Sequence, residues 1–126
     1  MRNVDYDKEV QRLEEVFSEL KTMLHLSDEI IIRLNDKFFE SIAVTLEKLR
    51  EAINTEEYES IEMHAHSVKG SAASLRYTLI SEIAQGLEKS AKAKENYPYE
   101  QELSKLSDEF TAAAHGYLLW KKQRDS

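Results

Sequence analysis

The sequence predicts an all-α fold, and three observations carry that prediction. Only three glycines and one proline punctuate 126 residues. Glu, Leu, Lys and Ala are abundant, all good helix formers. Apolar residues recur in alternating steps of three and four along nearly the whole chain, the period of one face of a helix. Scarce breakers and helical spacing together leave little room for strands.

The elements follow in order. Tyr6, Val10, Leu13, Phe17, Leu20 and Leu24 form one stripe, which predicts a first amphipathic helix over about residues 4–24. Ser27 followed by Asp28 and Glu29 is a start signal: a capping hydroxyl, then acids where the helix dipole favours them. The second helix runs to about Asn54, with Ile31, Leu34, Phe38, Ile42, Leu46, Leu49 and Ile53 as its apolar stripe. Thr55 is expected to cap a third helix starting at Glu56 and Glu57, with Ile61, Ala65, Val68, Ala72 and Leu75 facing inward. The boundary near Arg76, Tyr77 and Thr78 is weakly marked. A fourth helix carries Leu79, Ile83, Leu87 and Ala91. Asn96, Tyr97 and Pro98 stop the chain and restart it, since proline is tolerated in a first turn. Tyr99, Leu103, Leu106, Phe110, Ala113, Tyr117 and Trp120 then mark a last helix, followed by a polar tail at 121–126 that is expected to fray.

Short connections force neighbouring helices to run antiparallel. The expected architecture is an up-down four-helix bundle over about 27–120, with the helix at 4–24 as an addition to it. Residues 1–126 are read as one domain. A hydrophobic content of 41% supports one modest core and not two.

Composition also excludes function classes. With 33% charged residues and a formal net charge of -7, the chain lacks the positive footprint that nucleic acids and anionic membranes require. It has no cysteine, so disulfides and thiolate metal sites are ruled out. Its longest purely apolar run, Ile30 to Ile32, is far short of a membrane span, and no signal-peptide core follows Met1. A cytoplasmic location without membrane insertion is expected. Met1 and the complete first helix favour a freestanding chain.

The third helix is where the sequence becomes specific. At about 100° per residue, His66 points roughly 140° away from Ile61 and the core stripe. Lys69 and Ala73 lie beside it, and Gly70 sits one turn along the same side. His64 falls on the border of the stripe, so the two histidines differ in kind. Residues two apart point about 200° from each other, which prevents the pair from sharing one metal ion. A glycine within an exposed helix costs about 1 kcal/mol relative to alanine, so Gly70 is better explained by clearance for an approaching molecule. Lys69 supplies the positive charge that a bulky anion needs. The combination suits transient phosphorylation of a nitrogen nucleophile, with Lys69 stabilising the phosphate.

The run His66-Ser67-Val68-Lys69-Gly70-Ser71-Ala72-Ala73, preceded by Ala65, resembles the motif of the histidine-containing phosphotransfer (HPt) domain family. The resemblance spans about residues 27–120 and implies an HPt-like bundle. It implies a phosphoryl carrier, not a turnover enzyme, that relays phosphate between receiver-domain aspartates through phospho-His66. It also implies a residue on the following helix that accepts a proton from Nδ1 and leaves Nε2 as the nucleophile. The family spacing from His66 lands on Glu88, with Gln85 one turn earlier as the second candidate. One departure is Arg76, where many members have a glycine as the third helix ends.

The partners implied are response-regulator receiver domains and a sensor or hybrid histidine kinase. No cofactor or metal is expected on this chain; Mg²⁺ is expected on the partner receiver. The implied docking surface draws on Ile30, Ile32 and Phe39, which fall off the main stripe of the second helix, and on Glu62, Met63 and Ala73 near the histidine. Ile30, Ile32 and Phe39 serve equally well as a seat for the first helix. His25 and His115 are expected to be structural or solvated. A monomer is favoured over a dimer.

Two other classes compete. One is a helical adaptor that docks receivers without being phosphorylated. The other is a phosphatase of receiver aspartyl phosphates, which has no use for Lys-Gly after a histidine.

Overall fold

The computed structural model describes residues 5–125. Among these it contains five helices and no strand: α1 (Tyr6–Leu24), α2 (Asp28–Asn54), α3 (Tyr58–Ser74), α4 (Thr78–Lys92) and α5 (Tyr99–Asp125). The predicted start of the first helix at residue 4, and Ser126 at the end of the tail, lie outside the described residues.

Capping chemistry sets several of the boundaries. The Asp5 carboxylate accepts from the Lys8 N–H and opens α1, and the Ser27 hydroxyl accepts from the Ile30 N–H and opens α2. His25 closes α1 in the left-handed region at φ 55, with its N–H donating to the Lys21 carbonyl. Thr55 departs from its expected role. It caps the end of α2, its hydroxyl donating to the Glu51 carbonyl, while Glu57 stands at the N-cap of α3. Arg76 does not continue α3. It takes φ 63, the left-handed conformation that glycine adopts most readily, and so fills a glycine's role at that corner. Its guanidinium pairs with Glu19 of α1 at 2.9 Å. The tail expected to fray stays helical through Asp125, with Arg124 making two 2.7 Å contacts to the Glu14 carboxylate.

The core stripes hold with local exceptions. All five inward positions expected in α3, from Ile61 to Leu75, are buried. In α2 the buried position is Asn35, at 0% exposure, while Leu34 is 43% exposed. Asn35 satisfies itself there: its amide donates to the Ile31 carbonyl, and its oxygen accepts from the Tyr77 hydroxyl at 2.5 Å. In α4 the buried face is Ile80, Ala84, Leu87 and Ala91, with Leu79 outside and Ile83 only partly covered. Leu24 of α1 is exposed as well.

Aromatic packing joins the helices. Phe39 meets Tyr77, Phe110 and Tyr117, and Phe38 stacks on Tyr77 at 5.1 Å. α5, not α1, therefore covers this side of α2. α1 lies mainly on α5, with the Phe17 ring edge-on to Trp120 at 4.8 Å. A Cβ on Gly116 would fall 2.5 Å from Glu9 Cγ, so glycine lets α1 approach here. The Trp120 indole N–H has no hydrogen-bond partner among the described residues, a cost set against the burial of that ring.

α3 and α4 form the most extensive helix pair. Ser81 Oγ donates to the Lys69 carbonyl at 3.1 Å, and Glu88, two turns further along α4, lies against His66, earlier in α3. The two helices therefore run in opposite directions along this seam.

Burial pushes the Tyr77 hydroxyl well above its usual pKa, so it remains a donor to Asn35. Tyr77→Phe leaves the Asn35 oxygen buried and unpaired. Urea denaturation is expected to show a loss of about 1–3 kcal/mol, and an unchanged midpoint would contradict this role.

Candidate functional site

The site lies at the middle of α3 and faces α4. The core stripe of α3 places Ala65 and Val68 inward, which turns the intervening His66 out to solvent. Its side chain is 67% exposed. His64 is only partly exposed and lies at the edge of the buried face. His25 and His115 are both exposed and remote from this site; His115 Nδ1 is 3.2 Å from the Tyr6 hydroxyl.

One carboxylate organises the site. Glu88 Oε2 lies 2.5 Å from His66 Nδ1, and Glu88 Oε1 accepts from Lys69 Nζ, also at 2.5 Å. The Glu88 side chain is 15% exposed and that of Lys69 is 30% exposed, so the bridge is sheltered while the imidazole projects beyond it. The hydrogen bond from Lys69 holds the Glu88 carboxyl below the ordinary glutamate range. It acts against desolvation, and the imidazole contributes in the same direction as the lysine. An ionised carboxylate can only accept, so the ring nitrogen facing it carries the proton. That leaves Nε2 on the exposed edge of the ring, turned away from the carboxylate.

Gly70 is exposed, and a Cβ there would meet no atom within 4 Å. The space above it is open on the protein's own side. Ala73 is likewise exposed, two turns from His66 on the same face. Gln85 is exposed on α4 and makes no hydrogen bond to the imidazole; that contact belongs to Glu88. Lys69, read from sequence as a phosphate ligand, has its ammonium engaged by Glu88.

The expected docking residues separate into two groups. Glu62 and Met63 line a shallow recess with His66, Glu88 and Glu59. Met63 is exposed, and with Ala73 it brackets the histidine. Ile32 and Phe39 instead pack against the core, while Ile30 is exposed near the start of α2. Phe38 stacks on Tyr77, already past the end of α3, and Ile30 and Ile32 lie further along α2 in that direction. They sit at the far end of the helix from His66.

Sequence reasoning missed Glu59 and Ser81. Ser81 fixes α4 against the Lys69 carbonyl and so contributes to where Glu88 stands. Its only signal was its seven-residue spacing from Glu88, which places both on one face of α4.

A family model, the Hpt domain, matches residues 33–116. The crystal structure of histidine-containing phosphotransfer protein B from Pseudomonas aeruginosa PAO1 is similar to this chain with a TM-score of 0.71. The match covers 88% of this chain and 91% of that one, at 24% identity. At that identity the likeness is one of fold. No curated protein sequence matches.

The lowered Glu88 carboxyl has a pH consequence. Its folded pKa lies below its unfolded value, so the bridge contributes stability that is complete above the ordinary glutamate range. That stability is lost as pH falls through the depressed folded value. The ¹³Cδ resonance of Glu88 is expected to titrate below the ordinary glutamate range. An ordinary midpoint would contradict the bridge.

Proposed function

This chain belongs to the Hpt domain family, and we propose that it carries a phosphoryl group on Nε2 of His66, relaying it between receiver-domain aspartates. The observation that supports the reading most directly is the contact between His66 Nδ1 and Glu88, which leaves Nε2 unprotonated on the exposed face of α3. On this reading α2 to α5 form the family's antiparallel up-down bundle, and α1 is an added helix laid along α5.

The receiver presents an aspartyl phosphate, with Mg²⁺ held by the receiver's own residues. His66 Nε2 attacks the phosphorus in line. The N–P bond forms as the bond to the aspartyl oxygen breaks, and the aspartate leaves as a carboxylate. Attack draws electrons from the ring, and the positive charge that develops is offset by the Glu88 carboxylate on Nδ1. The phosphoryl group then passes by the reverse chemistry to an aspartate on a second receiver. The chain is a carrier, consumed and regenerated once per transfer. Phosphoryl transfer depends mainly on positioning and charge stabilisation, which makes the exposed imidazole, its fixed tautomer and clear approach the parts this chain supplies.

The receiver docks over Met63, Glu62, Gly70 and Ala73, with a sensor or hybrid kinase further upstream in the relay. Ile30 lies outside that footprint, and Ile32 and Phe39 serve the core. The protein acts as a monomer in the cytoplasm, where such partners work. Among the described residues no helix is long and apolar enough to cross a membrane.

His66→Gln is expected to abolish phosphoryl uptake in transfer profiling against the receiver domains of the source organism, with the fold unchanged by circular dichroism. Receiver binding without any transfer to the wild type would favour the adaptor, and release of free phosphate would favour a phosphatase. Gly70 gives a separate expectation. Gly70→Ala is expected to raise stability by about 0.5–1 kcal/mol, because nothing in the fold opposes a methyl group there. Gly70→Phe is expected to keep the fold and slow receiver-dependent transfer by about tenfold or more, since a ring blocks docking. Full transfer by Gly70→Phe would remove the clearance argument.

A further inference from the structure

The corner where the α2–α3 turn meets the α4–α5 connection carries three tyrosines that phosphoryl transfer does not use. Tyr58, Tyr97 and Tyr99 line a recess of about 380 Å³, within the size range of small-ligand sites. The Tyr58 and Tyr99 centroids lie 6.1 Å apart with their planes at 56°, and those of Tyr97 and Tyr99 lie 5.3 Å apart at 65°. Rings so inclined form a faceted wall and not a stack. All three stay partly exposed, while Ile53 and Ile61, which complete the apolar lining, are buried.

The chain holds this wall in place by itself. The Tyr99 hydroxyl donates to the Glu95 carbonyl at 3.0 Å, and the Tyr99 N–H donates to the Tyr97 carbonyl at 2.8 Å. A Cβ on Gly86 would fall 2.7 Å from the Tyr97 hydroxyl oxygen, so glycine on α4 makes the room in which that side chain lies.

The lining also specifies charge. Glu56, Glu95 and Glu100 are exposed around the rings, and no lysine, arginine or histidine lines the recess. Among the described residues these three carboxylates form no ion pair, whereas Glu9, Glu14 and Glu88 each do. Aromatic faces attract cations through the ring quadrupole. A metal ion does not fit, because among the described residues no three His, Asp or Glu side chains are grouped to hold one. A primary ammonium needs acceptors converging on its three N–H donors. A fully methylated ammonium needs none, and its methyl groups pack against rings.

We propose that this recess binds a quaternary methylammonium group, the trimethylammonium head of a choline-type solute or of a methylated lysine. The rings supply the contact surface and the surrounding glutamates the negative field. The recess shares no lining residue with the one at His66, so the proposal stands apart from the carrier reading.

The test is an NMR titration of the full chain at constant ionic strength with three probes. These are choline, its uncharged tert-butyl analogue in which carbon replaces the nitrogen, and a trimethyllysine peptide. Choline is expected to shift the ring resonances of Tyr58, Tyr97 and Tyr99 saturably, with a dissociation constant of about 1 mM or tighter. The uncharged analogue is expected to bind about tenfold more weakly or worse. Tyr58→Leu and Tyr99→Leu are each expected to weaken choline binding by about fivefold or more, while Tyr58→Phe, which keeps the ring, stays within about twofold. Circular dichroism confirms that each variant is folded. Tighter binding of the peptide places the group on a partner protein, tighter binding of choline makes it a free solute, and either result carries the proposal. No saturable shift with choline or peptide up to about 20 mM would overturn it. So would equal affinity for the uncharged analogue, or unchanged affinity in both leucine variants.

Discussion

The close seam between α3 and α4 is the constraint on which the site depends. Small residues, Ala65 and Ala72 on α3 and Ala84 and Ala91 on α4, are fully or almost fully buried. Close approach of the two helices lets one glutamate side chain reach both an imidazole and an ammonium on its neighbour. A seam wider by about 1 Å or more would carry Nδ1 and Nζ out of hydrogen-bonding reach of the carboxylate. Ser81, Lys69, Glu88 and His66 are consequences of one packing decision. The aromatic layer of Phe38, Phe39, Tyr77, Phe110 and Tyr117 joins α2 and α5 to the corner between α3 and α4.

Electrostatically the recess at His66 is acidic, since Glu59 and Glu62 line it beside the paired Glu88 and Lys69. Lys69 and Glu88 compensate one another, and the imidazole projects beyond the pair. A bare carboxylate beside an incoming dianionic phosphoryl group would repel it, and an unpaired lysine would leave Glu88 less ordered. Sharing one carboxylate meets both demands. The face is otherwise unobstructed, because Gly70 and Ala73 place almost no side-chain volume beside the histidine. In the proposed carrier, function is a matter of access and proton placement on one helix pair.

Much of this was legible in the sequence, and the misses have physical reasons. The three-four spacing gave all five helices, and the angular separation of His66 from Ile61 gave the exposed nitrogen. The spacing to Glu88 was legible only through the family resemblance, since helical geometry by itself does not say which residue of α4 meets His66. Asn35 was missed because a pattern of apolar residues passes over a buried amide, whose partner, Tyr77, is 42 residues away. The stripe of α4 was misplaced by one position at Leu79 because two apolar residues, Leu79 and Ile80, compete there, and only packing against the neighbouring helices chooses between them. Four corners adopt positive φ without glycine, at His25, Glu56, Arg76 and Lys94, so the usual signal for a helix end was absent. At Arg76 the ion pair with Glu19 and the contact to Met23 offset part of that backbone cost.

The central claim is that Glu88 fixes the proton on Nδ1 so that Nε2 of His66 carries the phosphoryl group. The most direct measurement is ³¹P–¹⁵N correlation NMR of the phosphorylated protein with ¹⁵N-labelled histidine, loaded from a phosphorylated receiver domain. The account predicts one phosphorus coupled to Nε2 of His66, with Nδ1 protonated. Phosphorus on Nδ1, or on His64, would contradict it.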